Sequence, residues 1–189
     1  MGSYTVIAET GKALVQLLQR ELVPDIIQNA DAIGLASPAD KGDLVLGIHL
    51  YDISESEDIR VSGMISDGVD RQRFPPGYLT LSYLITAFSI SDVKFRSEEE
   101  QRILGKVYQV LRDYPVLNPN TMEFVSGSSR DGIRVEPIKM ETEERLKIWN
   151  FPNLAYKLSL YYRMGPVPME SAKTREIRRV RELELRVEE

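Results

Sequence analysis

Apolar positions along the chain follow two periods, and the switches between them outline the elements. Over residues 4–23, Ile7, Leu14, Leu17, Leu18 and Leu22 fall close to i, i+3, i+4, i+7 spacing, which predicts an amphipathic helix with one buried stripe. Gly11 weakens it slightly, and Pro24 ends it. Strict alternation follows. Leu44, Leu46, Ile48 and Leu50 alternate with Val45, Gly47, His49 and Tyr51, so both faces of this strand carry apolar side chains. In the next strand Leu79, Leu81, Tyr83, Ile85 and Ala87 line one face, and Thr80, Ser82 and Thr86 lie on the other. Between the two strands lies an irregular section, 59–77. A short strand from Arg60 to Ile65 opens it and the rigid turn Phe74-Pro75-Pro76-Gly77 closes it.

Helical spacing returns at Ile103, Leu104, Val107, Tyr108, Leu111 and Tyr114, and Pro115 stops it. Ser97 with Glu100 reads as a capping box at its start, with Glu98, Glu99 and Glu100 complementing the helix dipole. Residues 117–131 read as a polar loop, most flexible over Ser126–Gly132. Ile133, Val135, Ile138 and Met140 predict a strand bent at Pro137. Thr142 is placed as the cap of a short helix running to Trp149, with Glu143 and Glu144 in its first turn. Tyr156, Leu158, Leu160, Tyr162 and Met164 then alternate against Lys157, Ser159, Tyr161 and Arg163, a strand that Pro166 and Pro168 are expected to end.

The order helix, strands, helix, strand, short helix, strand does not interleave helices regularly with strands. It therefore predicts an α+β domain with a mainly antiparallel sheet flanked by two main helices. A chain of 189 residues fits one such domain, here residues 1–170, with a charged carboxy-terminal arm over 171–189.

Composition removes several chemistries. There are no cysteines, so thiolate metal sites, iron–sulfur clusters, catalytic thiols and disulfides are absent. The net charge of −5 and the lack of a Lys/Arg-rich block argue against a nucleic-acid partner. The amino terminus does not read as a secretory signal, and no run of about 18 apolar residues predicts a membrane span. His49 is the single histidine; without a second ligand at metal spacing or a Gly-x-Ser-x-Gly elbow it reads as structural. No cofactor motif is present: the Gly127–Gly132 stretch lacks the order that cradles phosphates. The expectation is a protein that is not an enzyme and uses no cofactor.

Two segments read as candidate contact surfaces. Asp67, Asp70, Arg71 and Arg73 crowd a loop just before the Pro-Pro turn, and either a solvated loop or a partner-binding loop accounts for them. The arm carries Arg175, Arg178, Arg179 and Arg181, followed by Leu183, Leu185 and Val187 alternating with charged residues. That alternation suits a strand with one apolar side, although Ile177, Val180 and Leu183 also fit a short helix. A strand there either folds back on its own sheet or adds to a neighbouring subunit, and a frayed end is the third reading.

Several stretches, in order, resemble one family. They are Ile7–Leu14, Gly47–Ile53, Pro75-Pro76 with Leu79–Ala87, Glu99-Glu100 with Ile103-Leu104-Gly105, Tyr114–Leu117, Trp149 and Tyr156–Tyr162. Together they are similar to the amino-terminal domain of the cap protein of antifeeding-prophage-type contractile injection systems, over about residues 4–170. The resemblance implies a phage tail-terminator-like fold and six copies of the chain in a ring. It places that ring at the end of the particle away from the baseplate, closing the inner tube and docking on the last sheath ring. Partners would be the tube and sheath proteins, with no nucleic acid and no direct membrane insertion. The protein would be made in the cytoplasm and then carried in the assembled particle. The chain ends soon after the shared domain, so functions of a further carboxy-terminal domain lie outside what the resemblance implies. A terminator or connector of an ordinary phage tail is the second reading, and a small-molecule-binding domain or enzyme the third.

Overall fold

The computed structural model describes residues 4–56, 59, 63–66, 68, 71–125 and 132–176. Its elements are helix α1 (Val6–Leu22), strands β1 (Ile33–Leu35), β2 (Leu46–Glu55), β3 (Ile65–Ser66), β4 (Arg71–Arg73) and β5 (Gly77–Ala87), helix α2 (Val93–Asp113), strands β6 (Val116–Asn118), β7 (Glu123–Val125) and β8 (Ile133–Pro137), helix α3 (Thr142–Ile148), and strands β9 (Ser159–Met169) and β10 (Thr174–Glu176). Seven strands form one sheet in the order β1-β2-β5-β9-β8-β6-β7, and β10-β4-β3 form a second, small sheet. Among the described residues only the β1–β2 pair is parallel. The expected α+β, mainly antiparallel architecture is therefore the one observed.

Both main helices pack on one face of the large sheet. α1 contributes Leu14, Leu17, Leu18 and Leu22, α2 contributes Ile103, Leu104, Val107 and Leu111, and the sheet meets them with Ile48, Leu81, Tyr83, Ile85, Val135, Tyr162 and Met164. Gly11 has a positive role here. A Cβ at that position would lie 3.1 Å from Leu35 Cδ1 and 3.4 Å from the Tyr83 hydroxyl, so the glycine lets α1 approach the sheet closely.

The opposite face is half covered. Leu84, Trp149 and Tyr161 are buried there with Tyr51, Ile138, Met140, Ile148, Phe151 and Leu154 packed around them. Residues 138–157 thus form a lid over one end of the outer face. The switch is written in the strand period: Ile133 and Val135 point to the helix side, whereas Ile138 and Met140, of the other parity, enter the lid cluster. Trp149 sits at its centre, edge-on to Phe151 (5.4 Å between centroids) and to Tyr156 (5.7 Å), with Nε1 donating to Ala155 O at 3.2 Å.

Four expectations are corrected. α2 begins at Val93 with Asp92 at its N-cap, so Ser97 lies inside the helix and caps nothing. The cap of α3 is Glu141 rather than Thr142, and Glu141 and Glu144 form the reciprocal capping box. The stretch 117–131 is not all loop: β6 and β7 lie at the sheet edge, with Val116, Leu117 and Phe124 buried. Finally, β9 passes through Pro166 and Pro168 and ends at Met169. Among the described residues β8 pairs with β9 only from Tyr162 to Gly165, so beyond Gly165 no described strand covers that side. Tyr78 O accepts from Ser56 N, on the β2 side. The Tyr78–Pro168 pair is therefore one that exchanges no hydrogen bonds, and the prolines' missing N–H faces that side.

Candidate functional site

The small sheet joins the two segments singled out as contact surfaces. β10 pairs antiparallel with β4, Thr174 opposite Arg73, Arg175 opposite Gln72 and Glu176 opposite Arg71. Arg71 and Arg175 are exposed and Arg73 half-buried; the register puts Arg71 and Arg73 on one face of the small sheet, and Arg175, opposite Gln72, on the other. Arg73 Nη1 bonds Glu170 at 2.9 Å, and Phe74 N donates to Lys173 O at 3.2 Å. Asp67, Asp70, Arg178, Arg179, Arg181, Leu183, Leu185 and Val187 lie outside the described residues. Beside the small sheet is a cleft of about 250 Å³ lined by Ile65, Ser66, Arg73, Phe74, Pro76, Glu170 and Ser171.

A second polar surface is the uncovered part of the sheet's outer face. Asp52, Ser82, Arg163 and Glu136 form one row across β2, β5, β9 and β8; Ser54, Thr80, Gly165 and Arg134 form the next. Arg163 donates from both Nε (3.1 Å) and Nη2 (2.9 Å) to Glu136 Oε2. In the sequence Arg163 is only a polar partner in an alternating strand, and Arg134 and Glu136 belong to no motif.

The third surface surrounds the start of α2. Glu99 accepts from the hydroxyls of Ser89 and Ser91, the latter at 2.5 Å. The Ser89 bond, then the Ser91 bond, hold the Glu99 carboxyl below its ordinary value against the opposing effect of burial. Glu100 Oε1 accepts from Ser89 N at 3.2 Å and from Lys157 Nζ at 2.5 Å. The acidic run therefore does not serve the helix end, because the first turn of α2 holds no acidic residue; instead Glu99 and Glu100 tie the β5–α2 loop and Lys157, just before β9, to the helix.

Nothing in these surfaces assembles a reaction centre. His49 stands edge-on to Phe151 with centroids 5.7 Å apart, and burial lowers its pKa, keeping it a neutral packing group. Among the described residues no group of three or more His, Asp or Glu side chains is placed to hold a metal. Among the same residues no helix is long and apolar enough to cross a membrane.

The fold matches solved structures of injection particles. It aligns with the sheath/tube terminator of a PVC extracellular contractile injection system in its extended state, at a TM-score of 0.64 and 20% identity, over 97% of this chain and 63% of that one. It also aligns with the tube-terminating cap of the anti-feeding prophage (AFP), at a TM-score of 0.50 and 22% identity, over 76% of this chain and 49% of that one. The chain thus spans less than two-thirds of the length of either. No curated protein matches it. A family model described as the Pvc16 N-terminal domain matches residues 9–182, nearly the whole chain, and with the terminator fold in place the chain belongs to that family.

Proposed function

We propose that this chain is a structural, non-enzymatic terminator of a phage-tail-like contractile injection particle. In this reading six copies form a ring that closes the inner tube and docks on the last sheath ring, at the end distal to the baseplate. The observation that carries it is the terminator fold spanning 97% of the chain, supported by the family match over 9–182.

The physics of such a ring fits what the chain offers. A cyclic assembly needs two different, complementary surfaces on each copy, and a cap needs unlike faces towards tube and surroundings. Here the sheet is closed by helices on one face, while the other carries an aromatic lid beside a polar, open half. Charged surfaces suit subunits that must stay soluble until they meet the particle. The β4–β10 surface, with Arg71, Arg73 and Arg175, and the loop residues Asp67 and Asp70 are taken as one contact region. The arm residues Arg178, Arg179, Arg181, Leu183, Leu185 and Val187 are taken to reach a neighbouring subunit by strand addition.

The deciding experiment is to image the baseplate-distal end of particles produced with and without this protein. Tubes of irregular length with open ends in its absence are expected. Tubes of normal length, closed as before, overturn the reading.

A further inference from the structure

The small sheet ends on a strand whose outer side is open. Phe74 N donates to Lys173 O, so Lys173 and Arg175 turn their main-chain groups towards β4. Thr174 and Glu176 turn theirs away from it. β10 therefore offers the N–H and C=O of both residues along an edge whose three side chains are all exposed. The other edges offer less among the described residues. On β1, which turns Ile33 and Leu35 outward, Ile33 N already donates to Ala30 O, and Ile33 O accepts from Gln19 Nε2 at 3.2 Å. Beyond Gly165, β9 turns out Pro166 and Pro168, which have no N–H to give. β3 and β7 turn out one residue each, Ser66 and Phe124. An exposed edge with unpaired donors and acceptors is a template for a further strand.

The side chains of β10 say what kind of strand fits. Arg71, Arg73, Thr174 and Glu176 share one face of the small sheet, and Gln72 and Arg175 the other. Among the described residues Arg175 has no charged partner, and its neighbour Gln72 is neutral. A strand laid along β10 is therefore favoured if it brings an acidic side chain to that face. Two β10 strands paired about Arg175 would instead set like charges directly opposite, which is destabilising.

We infer that β10 is the edge on which the carboxy-terminal arm of an adjacent copy adds as a strand, with a glutamate of that arm beside Arg175. In an extended arm Glu182, Glu184 and Glu188 fall on one side and Leu183, Leu185 and Val187 on the other, so the acids arrive together on the Arg175 face. The arm leaves from Glu176, the last residue of β10, and each copy thus gives an arm and receives one at the same strand, as a cyclic head-to-tail assembly requires. Extended, residues 177–189 span about 43 Å, enough to reach a neighbour. A return onto the arm's own β10 needs a tight turn, yet Ile177-Arg178-Arg179-Val180-Arg181 contains no Gly, Pro, Asn, Asp or Ser. The inference rests on the proposed reach of the arm to a neighbouring subunit and names the edge that receives it.

The absence of cysteine makes the test clean. Full-length chains carrying Thr174→Cys and others carrying Leu185→Cys are mixed during particle assembly and treated with a short bismaleimide. A cross-linked pair of copies is expected in the mixture and not with either variant alone, and the chain carrying both substitutions should give a ladder ending at the ring. In parallel, Arg175→Glu, at an exposed position, should leave the circular dichroism spectrum unchanged. It should lower the capped fraction about tenfold or more, because every contact of the ring is weakened at once. Adding Glu182→Lys, Glu184→Lys and Glu188→Lys to that chain should restore capping. A cross-link closed within one chain, a cross-link to the tube or sheath protein, or capped particles without any cross-link each overturn β10 as the acceptor of a neighbour's arm while leaving the cap reading intact. Particles capped normally without the protein overturn both.

Discussion

Replacing Trp149 with Ala removes the side chain on which the lid of the sheet's outer face is assembled. Trp149 is 6% exposed and shares its cluster with Leu84 and Tyr161, both buried. Truncating a buried Trp to Ala costs about 3–5 kcal/mol in a close-packed site. The edge-on contacts with Phe151 and Tyr156 and the bond to Ala155 O are lost with it, placing the cost towards the upper part of that range. α3 has 7 residues, too few to hold a helix without tertiary packing, so residues 138–157 should loosen with the tryptophan. In a chain of this size 1 kcal/mol shifts Tm by about 2–4 °C, so a loss of about 4 kcal/mol lowers it by about 8–16 °C. Urea unfolding followed by far-UV circular dichroism measures the loss directly, and hydrogen exchange reports whether residues 138–157 lose protection. Trp149→Phe keeps most of the ring packing and forfeits the indole hydrogen bond, so it should cost only about 1 kcal/mol from that bond, plus a modest packing loss. A midpoint for Trp149→Ala within about 1 kcal/mol of the parent chain would show that the lid is not part of the cooperative unit.

Gly165 lies at the bulge where β9 carries an extra residue opposite Thr80, and a Cβ there would meet Thr80 Oγ1 at 3.2 Å and the Leu79 backbone oxygen at 3.3 Å. Gly165→Ala should therefore destabilise by about 1–3 kcal/mol, read as a shift of the urea midpoint; an unchanged midpoint refutes the close approach. The Glu99 carboxyl, held below its ordinary value of 4.5 chiefly by Ser89 and then Ser91, contributes stability that is present above that value and lost as pH falls through its lowered folded pKa. Ser89→Ala with Ser91→Ala should remove this contribution and flatten the acid limb of stability measured between about pH 5 and 3; an identical limb in both proteins contradicts the assignment. Truncation after Glu176 keeps β10 paired with β4 and should leave the domain folded while lowering the yield of capped, contraction-competent particles. Full capping by the truncated chain, seen by electron microscopy, rejects strand addition by the arm.

The sequence by itself determined the layers. The helical stripe of Leu14, Leu17, Leu18 and Leu22, that of Ile103, Leu104, Val107 and Leu111, and the alternation through Leu81, Tyr83 and Ile85 became the buried core because burying those stripes together is the largest favourable term available. The absent cysteines and the lone His49 narrowed the chemistry for an equally local reason: a residue type that is missing cannot act. Tertiary structure alone decided the rest. Ser97 and Glu100 have the spacing of a capping box, yet the helix starts earlier because Glu99 and Glu100 find Ser89, Ser91 and Lys157, partners that only the fold brings near. Pro166 and Pro168 carry the local mark of a strand end, but the described part of β8 stops short of them and asks for no donor there. The candidate surfaces divide in the same way. Arg71, Arg73 and Arg175 stand out as charged residues near breaks in the pattern, whereas their meeting in one small sheet depends on a pairing between residues far apart in the chain. Periodicity reports which face of an element is buried; it carries no information about which distant element will cover it.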